Sequence, residues 1–510
     1  MRILYIDCDS LRPDHLGCYG YHRNTSPAID QLASRGRRFT NYYASDVPCL
    51  PSRTALFTGR FGIHTGVVNH GGTAADPRQH GSDRGVSNLG EFKTWMTALR
   101  EEGHRTALVS SFPQRHAAWH VLDGFEDWHD TGGSGTESAD VVYPYAADWL
   151  EEHATEEDWY LHVNFWDPHT HYDTPLDYGN PFEDDPAPEW PTAEAIHEHY
   201  ASYGPHSAHD VHHWYLTGNE DTPDLPRVPD EISSREDFRQ WIDGYDVGIR
   251  YMDDYIGKLL DRLDDHGVRG ETLIILSADH GENQGELNVY GDHQTADDKT
   301  CRIPLIVSGP DVSTGVDHGL YYNHDLPPTV TELVGGTPAE GWDGQSFADA
   351  LTEDAEIGRT FLVLGQGTWA CQRAVRWDDW LLIRTYHDGF KDFESVELYD
   401  LVSDPHETTN LAGDRPEIVE QSVTLLEQWH SERMLEDATG AAGGNPDSPR
   451  ALVDPLLEVV RDGGPVYVRD NLDSYTRRLR ETERDEHAAE LERHKGMVAQ
   501  NHANDPARSN

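Results

Sequence analysis

Short apolar runs alternate with amphipathic helical stretches along most of this 510-residue chain, and that alternation constrains its fold more than any single residue. Ile3 to Asp9, Thr106 to Ser110, Trp159 to Phe165, Thr272 to Ser277 and Ile303 to Val307 read as strands. Between them Thr25 to Gly36, Phe92 to Glu102, Tyr143 to His153, Arg235 to His266 and Leu326 to Val334 read as helices. The longest keeps Trp241, Tyr245, Ile249, Met252, Ile256, Leu259, Leu260 and Leu263 near one stripe. Strands with little polar face, separated by helices, predict an α/β fold: a large, mostly parallel sheet flanked by helices on both faces. Such sheets hold ligands at the carboxyl ends of their strands. Two strands here run into acidic residues at that end, Asp9 and Asp279.

The rhythm breaks twice. Residues 173–235 are rich in Pro, Asp, His and Tyr without a period, and are expected to form an irregular acidic insertion with a functional purpose. After Arg359, the runs Phe361 to Leu364, Ala370 to Trp377, Trp380 to Tyr386 and Glu397 to Leu401 alternate like antiparallel strands, and Pro416 to Met434 follows as a helix. The expected organisation is a catalytic α/β domain over 1–355, a small α+β subdomain over 356–440 and a polar acidic tail over 441–510. Within that tail Asp473 to Ala499 reads as a charged surface helix.

The formal charge of −52 comes from 92 acidic residues against 40 basic ones. Only five of the basic residues are Lys: Lys93, Lys258, Lys299, Lys391 and Lys495. The acids are spread along the whole chain, so they repel one another in dilute buffer. Molar salt shortens the Debye length to about 3 Å and removes most of that repulsion. The composition therefore reads as adaptation to a salt-rich cytoplasm. It argues against nucleic acid and anionic membranes as partners. Met1 leads straight into an apolar strand, with no charged leader, and no stretch reaches the ~18 apolar residues of a membrane span. Five scattered Cys, without metal-type spacing, suit a reducing compartment. The expected localisation is cytoplasmic.

Cys49-Leu50-Pro51-Ser52-Arg53-Thr54-Ala55-Leu56-Phe57-Thr58-Gly59-Arg60 carries the chemistry. Pro51 to Phe57 suits a short helix that Gly59 stops. Cys49 and Ser52 then stand at a helix N-terminus, which favours an anion, with Arg53 one turn inside. This run resembles the signature of the type I, formylglycine-dependent sulfatases of the alkaline phosphatase superfamily, with every fixed position of the pattern present. The resemblance covers about residues 1–435, and Leu398 to Ala412 is similar to the family's C-terminal subdomain. It implies that Cys49 is oxidised to formylglycine by a generating enzyme, that Arg53 holds the modified residue, and that a sulfate monoester is hydrolysed.

The same resemblance implies a metal site. Ile6-Asp7-Cys8-Asp9-Ser10-Leu11-Arg12 is similar to the first metal motif, with Asp9 as ligand. Ser10 stands where many members carry a second Asp, which leaves one carboxylate fewer unless Asp7 or Asp14 substitutes; Asp7 reads as structural. Ser277-Ala278-Asp279-His280-Gly281-Glu282 is similar to the second motif, with Asp279 and His280 as ligands. Oxygen donors suit Ca²⁺, and the His keeps Mg²⁺ and Mn²⁺ open. The family's Gly-Lys-Trp-His run is missing; in its region Arg115 and His116 are expected to bind the sulfuryl oxygens and serve the proton transfer. Trp166-Asp167-Pro168-His169-Thr170-His171 resembles another family run and offers His169 and His171. His293 stands where relatives carry a Lys, and Lys299 is a further substrate-binding candidate. Two other readings stay open: a phosphonate monoester or phosphodiester hydrolase on the same machinery, and an unmodified, non-catalytic binding protein. A small or sugar sulfate ester is the expected substrate.

The charge generates a test. The unfolding midpoint, followed by circular dichroism, is expected to fall as KCl is lowered from molar to millimolar. An unchanged midpoint would contradict the salt-adapted reading.

Overall fold

The computed structural model describes residues 1–78, 93–133, 135–212, 225–353, 355, 357–439 and 453–493. Its centre is an eight-stranded sheet. From one edge to the other the strands are Gly315–Tyr322, Arg37–Tyr43, Arg302–Ser308, Thr272–Ala278, Arg2–Cys8, Trp159–Phe165, Arg105–Val109 and Asp127–His129. The last five run parallel; Arg302–Ser308 is antiparallel to both of its neighbours. The sheet is therefore mixed with a parallel centre. Every residue of Thr272–Ala278 is buried, as a strand covered on both faces requires. The helices Ala139–His153 and Pro27–Ala33 each pack against the long helix Arg235–Asp265, and Trp95, Trp159 and Trp241 are completely enclosed in the core.

The register of the central strands builds the site. Cys8 pairs with Ala278 on one side and with Phe165 on the other. Asp9 and Asp279 each follow their strand by one residue, so they emerge side by side from chains spaced about 4.8 Å apart.

Four antiparallel strands, Phe361–Gln366, Cys371–Trp377, Trp380–His387 and Val396–Asp400, form the second, smaller sheet. It is tied to the main body by Asp46–Val47, which pairs in parallel with Gly365 and Gln366 immediately before Cys49. The helix Pro416–Thr439 lies against this sheet.

Two local readings need correction. The Cys49 helix starts two residues earlier than the sequence suggests: it spans Cys49–Thr58, with Pro48 as its cap. Gly59 ends it in the left-handed region at φ 67°, and a Cβ there would lie 2.7 Å from the Trp342 ring. The second correction concerns 453–493. In place of one surface helix over 473–499, this stretch holds helices at Pro455–Arg461 and Val466–Glu481 and a further helical segment over 485–493. Tyr475, Leu479, Ala488 and Leu491 are buried there with Tyr203, Trp369 and Phe390. The periodicity was masked because few apolar residues serve this face and charged ones fill the other. Part of the expected helix, from 494, lies outside the described residues.

Arg373 clamps this C-terminal stretch. Its guanidinium donates two hydrogen bonds, of 2.6 and 2.8 Å, to the buried Asp454 carboxylate. Removing one partner of such a pair costs about 3–5 kcal/mol. Arg373→Ala is expected to lower the unfolding free energy by that amount in molar KCl and to make 453–493 the first segment cut in limited proteolysis. A loss under about 1 kcal/mol, the scale of an exposed pair, would show that the clamp is idle.

Candidate active site

Cys49 opens its helix at the carboxyl ends of the two central strands. The helix is pinned there by Ser52, whose Oγ donates to the Asp279 carbonyl at 2.5 Å, while Asn323 donates to both the Ser52 carbonyl and Oγ. Arg53, one turn in, reaches back into three carboxylates. It is 3.1 Å from Asp7, 3.2 Å from Asp9, and also hydrogen-bonded to Asp279. All four side chains are at most 2% exposed. Asp7 takes further hydrogen bonds from His162 and Asn164, and the Arg53 charge with these partners holds it below its ordinary range despite burial. Its bonds are those of a structural carboxylate, as expected. Asp9 goes the other way: burial and the neighbouring Asp279 push it up to about 7.

His280 completes the group. Its Nδ1–H donates to the Gly281 carbonyl at 2.8 Å, which leaves the Nε2 lone pair facing the cluster. That nitrogen lies 3.1 Å from Cys49 Sγ, 3.3 Å from Asp279 and 3.8 Å from Asp9. Gly281 is obligatory, since a Cβ would come within 2.0 Å of the Lys299 carbonyl. The ligand atoms of Asp9, Cys49, Asp279 and His280 all lie within 4.8 Å of one another. Asp9 Oδ1 is buried with no hydrogen-bond partner, and so is the Ser10 hydroxyl. Two carboxylates, a correctly poised imidazole and orphaned oxygens fit a divalent cation. Asp14 does not substitute for the missing carboxylate, because it is committed to Arg12 and Lys299.

Above Cys49 opens a cavity of about 830 Å³. Of the sequence candidates, Arg115, His116, His169, His171 and His293 line it. Lys299 does not: its buried ammonium lies 3.1 Å from Asp14, in the Arg12–Glu286 ion-pair cluster, and is corrected from a substrate contact to a structural one. His169 donates Nδ1–H to the Thr170 carbonyl at 2.7 Å, which leaves Nε2 bare. The His116 Nε2 and His293 Nδ1 atoms are likewise buried without partners. Burial, reinforced by Arg115, holds His169 well below its ordinary pKa and His116 down at about 3; burial and His280 do the same to His293. These imidazoles are neutral at physiological pH in the ligand-free site. The Arg115 guanidinium stacks 3.9 Å over the Trp166 ring.

Several lining residues escaped sequence reasoning. His70 stands in no motif, yet its Nε2 accepts from the Leu50 N–H at 3.4 Å and its ring packs 4.4 Å from that of His116. His206 and Asp292 pair at 3.0 Å in the wall. Trp369, Tyr467 and Asn471 come from beyond residue 360. No local motif marks any of these; only the fold brings them together.

A sulfatase family model matches residues 2–336. The chain belongs to the sulfatase family. It is 25% identical over 489 residues to the choline-sulfatase of Rhizobium meliloti, covering 86% of this chain and 87% of that protein. It is also 25% identical to the ulvan-active sulfatase of Formosa agariphila, over 81% of this chain and 77% of the relative. Among solved structures, the fold of this sulfatase matches BT4656, determined with D-glucosamine-2-N,6-O-disulfate, at a TM-score of 0.68 and 20% identity over 85% of this chain and 98% of the other. It matches a phosphonate monoester hydrolase from Silicibacter pomeroyi at 0.64 and 20%, over 85% and 95%. The α/β architecture with a smaller antiparallel sheet, expected from the sequence, is that of this enzyme family. Among the described residues no helix is long and apolar enough to cross a membrane.

Arg53 offsets only part of the charge of three carboxylates, so removing it enlarges the share that a divalent ion could balance. Arg53→Leu is expected to destabilise the sulfatase by at least about 3 kcal/mol without divalent ions. Millimolar Ca²⁺ should then recover more of the lost melting midpoint in the variant than it adds to the wild type. An equal response of both proteins to Ca²⁺ would separate Arg53 from the carboxylates.

Proposed function

We propose that this chain hydrolyses a sulfate monoester through formylglycine made from Cys49 by a generating enzyme, beside a divalent cation held by Asp9, Asp279 and His280. One observation carries the reading: the Cys49 Sγ is enclosed at a helix N-terminus, 3.1 Å from a His280 lone pair and surrounded by carboxylates and neutral imidazoles. As a thiol it is badly placed for attack. Burial, with Asp9 and Asp279 beside it, pushes its pKa well above that of a free Cys, so little thiolate exists to react. Conversion removes that difficulty, because the hydrated aldehyde supplies one oxygen for attack on sulfur and a second to expel the product. The bound cation would supply positive charge opposite the nucleophilic oxygen, with Ca²⁺ the first choice among Ca²⁺, Mg²⁺ and Mn²⁺.

The chain's own residues do the rest. The positive end of the Cys49 helix dipole, together with Arg115, supplies fixed positive charge to the sulfuryl oxygens. Arg53 keeps Asp7, Asp9 and Asp279 gathered under position 49. His280 Nε2 is poised against the side chain at 49, and His293 and His169 offer bare imidazole nitrogens above it for proton transfer to the leaving oxygen. His116 and His171 line the same wall as substrate contacts. Hydrolysis of a phosphonate monoester or phosphodiester is the competing reading, supported by the likeness in fold to the Silicibacter hydrolase. Both substrates carry one negative charge at the reacting centre, so the site alone does not separate them.

Peptide mass spectrometry across residues 38–53, with aldehyde-specific labelling, is expected to find formylglycine at 49 in active protein. Cys49→Ala should lose at least about 10³-fold in kcat/KM for a sulfate ester while keeping its fold. Paired assays with a sulfate monoester and a phosphate diester rank the two reactions. Fully active protein carrying only an unmodified thiol at 49 would overturn the mechanism, and faster turnover of the diester would favour the competitor.

A further inference from the structure

The family match ends at residue 336, yet part of the cavity wall is built from 369 and from 467–471. Tyr467 and Trp369 form an aromatic pair with ring centres 4.7 Å apart. The Tyr467 hydroxyl reaches His70 Nδ1 at 3.4 Å, and His70 in turn contacts the backbone beside Cys49. Asn471, one turn on, donates its amide to the Tyr467 carbonyl at 2.8 Å. The wall is fixed in place. Asp210, in the insertion, accepts two hydrogen bonds from Arg484 at 2.7 and 2.9 Å and one from Tyr475 at 3.0 Å. Val468, Tyr475 and Leu479 are buried with Tyr203 and Phe390. The insertion, the small subdomain and the C-terminal stretch thus lock together around one side of the cavity.

The charges on the cavity are lopsided. Among its described lining residues Arg115 is the only Lys or Arg, against the carboxylates of Asp173 and Asp292. His70, His116 and His169 are held below their ordinary pKa, with burial the first cause, so they do little to offset those carboxylates. One guanidinium serves one sulfuryl group. A second anion on the substrate would meet carboxylates and neutral rings, at a cost that grows as water is excluded. The volume, near 830 Å³, holds a leaving group the size of one or two small rings.

Resting on the hydrolase reading above, we infer that Trp369, Tyr467 and Asn471 form the leaving-group subsite, and that it selects singly sulfated esters whose leaving group carries no further anion and stacks on the Trp369–Tyr467 pair. An onium group and the apolar face of a sugar ring share that stacking chemistry. Tyr467 is a specificity residue here, not part of the proton-transfer machinery.

The test uses the mature full-length protein in molar KCl, with four probes: choline O-sulfate, 4-nitrophenyl sulfate, N-acetylglucosamine 6-O-sulfate, and glucosamine N,6-O-disulfate. The disulfate is expected to show at least a tenfold lower kcat/KM than the best singly sulfated ester. Tyr467→Ala should raise KM for that ester about tenfold while changing kcat less than threefold, and Tyr467→Phe, which keeps the ring, should restore KM. Asn471→Ala provides a second variant whose main-chain fold is checked by circular dichroism. Choline O-sulfate or the sugar ester ranking first tells which leaving group the pair takes. Calorimetric binding of the same esters to Cys49→Ser protein, with and without Tyr467→Ala, separates the two levels of the argument. If nothing is hydrolysed but the binding ranking and its loss in Tyr467→Ala hold, the reaction fails and the subsite stands. If sulfate is released but the disulfate is handled as well as the monosulfate, or Tyr467→Ala leaves KM and binding unchanged, the subsite is overturned.

Discussion

Arg53 in the middle of three buried carboxylates is the interaction on which the rest of the site depends. Asp7, Asp9 and Asp279 arrive together because adjacent parallel strands end in step, with Cys8 paired to Ala278. Left alone, that convergence would be self-defeating, since like charges in a low-dielectric interior raise one another's pKa until some protonate. Asp9 already shows the strain, lifted to about 7 by burial and Asp279. The guanidinium offers a rigid fork and a charge that cannot be titrated away, which a Lys would supply less well. It can take this position only because Ser52 and Asn323 hold the Cys49 helix against the Asp279 strand end. The same helix position that lets Arg53 offset the acids also puts residue 49 at the positive end of the helix dipole. Charge compensation and anion binding are two results of one packing decision.

How much of this could be read from the sequence follows from how local each signal is. Strand Trp159–Phe165 was legible to the residue, because an enclosed parallel strand is dominated by aromatic and branched apolar residues, and only His162 and Asn164 interrupt this one. Asp9, Cys49, Arg53, Asp279 and His280 were legible because each sits within a few residues of the turn that gives it its place. The helix start at Cys49 was misjudged because Pro51 reads as a first-turn residue, and nothing nearby shows that Pro48 caps the helix. Lys299 was misplaced for a different reason. Its sequence neighbours lie beside the site, but its side chain points toward the half-buried Asp14 carboxylate, which it shares with Arg12. His70, Tyr467 and Asn471 left no trace, because their neighbours in space lie hundreds of residues away, as with the Tyr467 contact to His70.

The smaller sheet and the C-terminal stretch look peripheral in the chain but are central in the molecule. Asp46–Val47 pairs with Gly365–Gln366 and so ties the base of the Cys49 helix to the second sheet. Gln366 donates to the His293 carbonyl at 2.7 Å, which fixes the backbone of a cavity-lining residue from the second sheet. Arg373 in that sheet then clamps Asp454, the cap of the helix Pro455–Arg461 that directly precedes the one carrying Tyr467. A cavity whose walls are held through such buried bonds is preorganised, and its selectivity rests on shape and charge already in place.

The net charge bears on this selectivity as much as on stability. A body of formal charge −52 repels any anionic ester at long range, and two charges on the substrate double that repulsion. In molar salt the field decays within about 3 Å, so an ester feels only what lines the cavity. Much of the positive charge has meanwhile been drawn inward: Arg12, Arg23, Arg37, Arg53 and Arg373 are all buried in ion pairs, as is Lys299. Among the described residues that line the cavity, Arg115 is left as the one Lys or Arg, and its reach is short. On the proposed function, salt concentration would act on both the fold and the encounter, and in the same direction, since screening relieves the repulsion among the acids and lets a singly charged ester approach Arg115.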